Sequence, residues 1–159
     1  MDDGSRVVRR VGPRQSVLSR DLGHNCGSGS SKERDSVSLR VANITFDCRD
    51  ALVVGTFWSH ALGQPLDPGG SAGYCSIGRG DADRSKPAWF FEKVSESKTS
   101  KNRMHLDLVD PDPSAVERLV TLGATIVAEH AVEGVDHGWT VMQDPEGNEF
   151  CISTTTYVG

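Results

Sequence analysis

The sequence repeats itself. Asn43-Ile44-Thr45-Phe46-Asp47-Cys48-Arg49-Asp50 aligns with His105-Leu106-Asp107-Leu108-Val109-Asp110-Pro111-Asp112 at an offset of 62 residues. In both copies apolar and polar residues alternate, an acid stands where a helix would begin, and a Leu-Gly pair closes the segment, Leu62-Gly63 and Leu122-Gly123. Period-two alternation is the mark of a strand with one buried face. An acid ahead of an apolar helical stripe can accept hydrogen bonds from the first free amides. A glycine just past the last periodic residue takes the left-handed conformation that ends a helix. In such a unit the helix covers one face of its sheet and leaves the other open. Two units can therefore set their open faces around a common hollow. The expected fold is α+β: two tandem βαβββ modules forming a concave mixed sheet around a pocket.

The remaining elements follow from the same signals. The first module is expected to run as a strand over 37–48, a helix capped by Asp50 with Leu52, Val53, Phe57, Trp58, Ala61 and Leu62 as its apolar stripe, and a short strand over 64–66. The sequence Asp67-Pro68-Gly69-Gly70 breaks the chain there, and strands over 73–77 and 88–94 complete the module. The second module is expected as a strand over 103–109, a helix with Asp112 as cap and Pro113 in its first turn, and strands over 124–128, 139–143 and 149–154. The stretch Asp144-Pro145-Glu146-Gly147-Asn148 reads as a tight structural turn into the last strand.

Residues 1–36 read instead as a disordered tail, with 37–159 as the folded domain. The tail is rich in Arg, Ser and Gly and holds seven basic residues against five acids, whereas the rest of the chain is acidic. The net charge of −5 argues against a nucleic-acid partner, and no apolar run is long enough to cross a membrane. Cys26, Cys48, Cys75 and Cys151 show no zinc-finger spacing, and nothing marks export, so a reducing cytoplasm is the expected location.

Four segments together resemble the glyoxalase-like branch of the vicinal-oxygen-chelate superfamily, which includes bleomycin-resistance proteins and dioxygenases. They are Ile44 to Cys48, Lys101-Asn102-Arg103-Met104-His105-Leu106-Asp107-Leu108, Leu122-Gly123-Ala124, and Asp144 to Cys151. The resemblance covers about Leu39 to Ser153. It implies paired βαβββ modules, a homodimer, and a pocket that in many relatives holds a divalent metal. In metal-dependent relatives the ligands come from the first and last strands of the modules. His105 matches one such position. Asn43 stands at the equivalent position of the first module, Cys151 stands where a glutamate would be expected, and Glu92 is the candidate for the remaining ligand. The metal candidates are thus His105, Glu92 and Cys151, for zinc, nickel or manganese, or for no metal at all. Asp107 lies on the same predicted face as His105 and could instead simply hydrogen-bond it.

Glu149 and His105 are candidates for acid–base work. Asn43, Thr45, Asp47 and Asp107, on the strand faces turned away from the helices, are candidates for substrate contact. His137 falls in a glycine-rich connection that could cover the pocket. The expected function is binding of a small oxygen-rich molecule, which a lyase- or isomerase-type reaction could then transform. The alternative is metal-free sequestration of a small molecule, as in the bleomycin-resistance type.

Overall fold

The computed structural model describes residues 39–83, 85–131 and 138–154. The expected tail over 1–36 and the His137 connection lie outside these residues. The chain divides into a unit ending at Val37 and a second unit from Ser38 to Gly159, and the fold described below is that of the second.

The first module consists of β1 (Asn43–Cys48), α1 (Ala51–Leu62), β2 (Tyr74–Ile77) and β3 (Ala88–Lys93). Its sheet has the order β1-β3-β2, with β1 parallel to β3 and β2 antiparallel to it. The second module consists of β4 (Leu106–Val109), α2 (Ala115–Thr121), β5 (Thr125–Ala131), β6 (Gly138–Gln143) and β7 (Glu149–Ser153). Its sheet has the order β4-β7-β6-β5, with β4 parallel to β7. The repeat is therefore topological: β1, β2 and β3 correspond to β4, β6 and β7, and each sheet mixes parallel and antiparallel pairs.

The two modules differ where the first lacks a partner for β5. The strand expected over 64–66 does not form. Pro65 cannot donate to a ladder. What remains of the pairing is one hydrogen bond, from the Asp67 amide to the Ser76 carbonyl of β2.

Helix α1 begins and ends as the sequence indicates. Asp50 Oδ1 accepts from the amides of Leu52 and Val53, and Gly63 closes the helix at φ 64°. Its buried stripe is shifted from the expected one. Val54, which the expected stripe left out, is inside with Phe57 and Trp58, whereas Leu52 and Val53 are 36% and 48% exposed. Helix α2 starts later than expected. Asp112 Oδ1 accepts from both the amide and the hydroxyl of Ser114, which folds Asp112 to Ser114 into a turn, and the regular helix begins at Ala115.

Alternation sends Phe46, Cys75, Ile77, Trp89 and Phe91 towards α1, and Leu106, Leu108, Met142, Phe150 and Ile152 into the same core. The aromatic contacts join the modules: Trp58 packs on Phe46 and Trp89 of the first sheet and on Phe150 of the second. Burying each of these large side chains stabilises the fold by roughly 1.5–3 kcal/mol. Close approach of helix and sheet requires Gly55, where an added Cβ would collide with Cys75 Sγ.

The turn after β6 ties the modules together by hydrogen bonds as well. Asp144 is 3% exposed. Its Oδ1 accepts from the amides of Glu146 and Asn148, and its Oδ2 from Trp58 Nε1 at 3.2 Å and Asn148 Nδ2 at 2.9 Å. Glu146 reaches in the same direction, and its carboxylate accepts from the amides of Arg49 at 2.6 Å and Asp50 at 2.7 Å. Four donors solvate the buried Asp144 carboxylate in place of water, which is what makes its burial tolerable.

Candidate functional site

The same alternation that fills the core assigns the opposite faces. On the β4-β7-β6-β5 sheet, Asp107 pairs with Cys151, Cys151 with Val141, and Val141 with Ala128, so these four stand in one row across the face turned away from α2. One step along β4 and β7, next to the Leu106–Phe150 pair, His105 and Glu149 stand in the neighbouring row.

In this arrangement His105 Nδ1 lies 3.1 Å from Asp107 Oδ1 and 3.7 Å from Cys151 Sγ. One ligand atom from each of His105, Asp107 and Cys151 falls within 4.8 Å of the others. Strand geometry accounts for the convergence. His105 and Asp107 are two apart on one chain segment, so their side chains point the same way, and Cys151 is the parallel-strand neighbour of Asp107. The site is graded in exposure: the Asp107 side chain is 75% exposed and that of His105 39%, whereas Cys151 is 8% exposed. Burial, then the hydrogen bond and negative charge of Asp107, push the Cys151 thiol up, against a smaller opposing effect of Lys101.

Glu149 shares this face but is already engaged. Its carboxylate accepts from the Asn102 amide at 3.0 Å, pairs with Lys98 Nζ at 3.0 Å, and accepts from Gln143 Nε2 at 3.4 Å. Burial works to raise its carboxyl, but the donors from Asn102, Lys98 and Gln143 outweigh it and hold the group at about 2. A carboxylate so held is a weak base. It anchors the 98–102 segment beside His105, a role that no local pattern in the sequence signals because it depends on residues 47 to 51 positions away.

The other expected residues lie on the first sheet. Asn43, Thr45 and Asp47 share the exposed face of β1, where the Asn43 amide reaches Thr45 Oγ1 at 3.5 Å. Glu92 is exposed on β3, opposite Asp47. Its carboxylate is not among the donors gathered around His105. Three cavities lie elsewhere. One, of about 530 Å³, runs between α1 and the Leu122-Gly123 and Pro145 turns. Another, of about 230 Å³, sits at the start of α2 and takes in Asp112, Val116 and Ile152. The third, of about 650 Å³, lies by Arg49, Lys93 and Lys98. His105, Asp107 and Cys151 line none of these three. Among the described residues no helix is long and apolar enough to cross a membrane.

Comparison with known proteins agrees with this fold. The model of the glyoxalase-like domain matches residues 43–153. None of the curated proteins matches. Among solved structures, a glyoxalase/bleomycin resistance protein/dioxygenase family enzyme from Burkholderia phytofirmans PsJN is similar at 21% identity and a TM-score of 0.54, over 72% of this chain and 98% of that one. The fosfomycin resistance protein FosX from Listeria monocytogenes, solved as a mutant with Mn(II) and dihydroxypropylphosphonic acid, is similar at 12% identity and a TM-score of 0.58, over 74% of this chain and 90% of that one. The fosfomycin resistance protein FosX from Mesorhizobium loti is similar at 14% identity and a TM-score of 0.55, over 74% and 92%.

Proposed function

The chain belongs to the glyoxalase-like domain family, and from that premise we propose that it binds a small oxygen-rich molecule over the open face of the β4-β7-β6-β5 sheet, with His105, Asp107 and Cys151 holding a divalent metal. The observation that carries this reading is the convergence of an imidazole nitrogen, a carboxylate oxygen and a thiol within 4.8 Å.

The donor set fits a metal. Tetrahedral zinc with ordinary bond lengths places neighbouring ligand atoms about 3.3–3.6 Å apart. The nitrogen–oxygen and nitrogen–sulfur separations here are 3.1 and 3.7 Å. A thiolate in the set favours zinc or nickel over the harder manganese. When bound, such an ion supplies a Lewis acid that can take two oxygens of a ligand. The chain's own residues do the rest. His105 offers its Nδ1 lone pair, which leaves the proton on Nε2. Cys151 gives up its proton on metal binding, which makes the affinity rise with pH. Glu149 fixes the Lys98 to Asn102 segment at the rim of the site. The reading extends to chemistry of the lyase or isomerase type beside a carbonyl that the ion would polarise; with His105, Asp107 and Cys151 committed as ligands and Glu149 to Lys98 and Asn102, the proton would pass to solvent water.

The reading includes a homodimer, because the sheet faces that one chain leaves open need a second surface to close a pocket around a ligand. The substrate contacts on the first sheet would then be Asn43, Thr45 and Asp47. The competing reading is metal-free sequestration of a small molecule. It is favoured by Asn43, a poor ligand standing where relatives carry a first-strand histidine.

The test is the metal content of protein purified without chelators, followed by melting with and without EDTA and added zinc, nickel or manganese. At a metal concentration one hundred times its dissociation constant, stabilisation of about 2.7 kcal/mol is expected. It should disappear in His105→Ala and in Cys151→Ser. If the wild type carries no more metal than His105→Ala and melts at the same temperature with and without added ions, the metal reading is wrong and the sequestering one takes its place.

A further inference from the structure

The cavity at the start of α2 has no part in the site proposed above. It is lined by the row that Glu129, Thr140 and Ile152 make across β5, β6 and β7. The next pair along, His130 and Trp139, lines it too, with the two rings stacked at a centroid distance of 4.9 Å. Val116 of α2 adds an apolar side chain, and Asp110 and Asp112, ahead of that helix, add two carboxylates to that of Glu129. Arg118 pairs with Asp110 at 2.5 Å and with Asp112 at 3.3 Å, which offsets one of the three negative charges and leaves two. These carboxylates are not gathered around an inorganic ion. Among the described residues, His105, Asp107 and Cys151 are the one group whose ligand atoms lie close enough for that. The two aspartates are also engaged as hydrogen-bond acceptors. Asp110 Oδ1 accepts from the Asp112 amide, Asp112 Oδ1 from the Ser114 amide and hydroxyl, and the Oδ2 atoms of both from Arg118. Glu129, exposed on the edge strand β5, has no hydrogen bond or ion pair among the described residues.

We propose that this cavity binds a small quaternary ammonium compound, held by the Trp139 ring and the Glu129 carboxylate, at a second site independent of the metal group. Each part of the lining selects for that chemistry. The surplus negative charge favours a cation. A primary ammonium ion would have to hydrogen-bond oxygens that Arg118, Ser114 and a backbone amide already occupy, whereas a cation without N–H groups feels the charge and competes for none of them. Its methyl groups suit Val116 and Ile152, and the negative face of an indole attracts them because they carry the positive charge. The volume of about 230 Å³ lies below the roughly 300–1,000 Å³ of pockets for drug-sized molecules, so the occupant is small.

The experiment titrates the full chain with choline and with dimethylbutanol, its uncharged carbon isostere, and follows each by calorimetry. It is run at pH 8, where an ordinary imidazole is neutral and adds no competing charge. The two probes have the same shape, so their difference reads the charge alone. The expected result is saturable binding of choline, about tenfold tighter than that of dimethylbutanol. Trp139→Leu should lose this preference, and Glu129→Gln should weaken choline without touching dimethylbutanol. His105→Ala should leave both titrations unchanged, which separates this site from the metal group. Should Trp139→Leu fail to fold, Glu129→Gln, at an exposed position of an edge strand, carries the test. No saturable binding of choline overturns the proposal, and so does equal binding of the two probes. It is overturned as well if Trp139→Leu and Glu129→Gln both keep the wild-type preference, or if His105→Ala abolishes it, because choline would then sit elsewhere.

Discussion

The hydrogen bonds of Asp144 give the sharpest prediction about the fold. Asp144→Asn keeps the shape of the side chain and changes only what it offers. One oxygen can still accept from the Glu146 and Asn148 amides, as Oδ1 does now. The other position becomes an NH2 group facing Trp58 Nε1 and Asn148 Nδ2, which are donors themselves. Asn148 can rotate its amide to present oxygen. The indole N–H of Trp58 has no such freedom, since Trp58 is 1% exposed and wedged among four other rings. A buried donor left without a partner costs about 1–3 kcal/mol, and loss of a charge-assisted bond in a buried place adds to that. The expected destabilisation is about 3 kcal/mol, a large share of the 5–15 kcal/mol typical of a domain. At roughly 4 °C per kcal/mol, the midpoint should fall by about 12 °C. Thermal melting and urea titration read it, with the urea slope unchanged if only stability is affected. Trp58→Phe is the control. It removes the indole donor and leaves Oδ2 with Asn148, so adding Asp144→Asn on top should cost clearly less than in the wild type. A shift under about 3 °C for Asp144→Asn, or full additivity of the two changes, would refute the reasoning.

Two further outcomes follow from the structure. The Glu149 carboxyl is held at about 2 in the folded chain against an ordinary 4.5. Its contribution is therefore complete above about pH 4.5 and is lost as the pH falls towards 2, so wild-type stability should drop across that window more steeply than that of Glu149→Gln, measured by urea titration at a series of pH values. Gly55→Ala drives a methyl into Cys75 Sγ, with Phe91 3.2 Å and Leu66 3.3 Å away, and should cost about 1–3 kcal/mol although alanine is the better helix former; a stabilised variant would show that helix and sheet can move apart.

How much of this was legible before the structure depends on the range of the interaction. The Asp50 cap and the Gly63 stop are local, because a side chain or a left-handed residue acts on amides a few positions away, and both form as read. The alternation that turns Phe46 and Phe150 inward and Asp107 and Cys151 outward is local too. The apolar stripe of α1 was overdrawn at Leu52 and Val53, because periodicity marks apolar residues without saying whether a neighbouring sheet reaches them. The strand over 64–66 failed for a reason present in the sequence, the missing N–H of Pro65. The later start of α2 also has a short-range cause, the capture of Asp112 by Ser114.

The site divides along the same line. Its residue types and their faces come from the sequence: His105, Asp107, Glu149 and Cys151 each follow from period-two alternation on two strands. Which of them meet was decided only by the register of β4 against β7, a parallel pairing across more than forty residues. That register sets Cys151 beside Asp107 and brings both to His105. It also lets the 98–102 segment claim the Glu149 carboxylate, and leaves Glu92 outside the group on another sheet. Alternation is a property of one strand, whereas register is fixed by everything packed on the sheet, here α1 with Trp58 against Phe150, so the sequence alone determined the faces and the tertiary structure decided the neighbours.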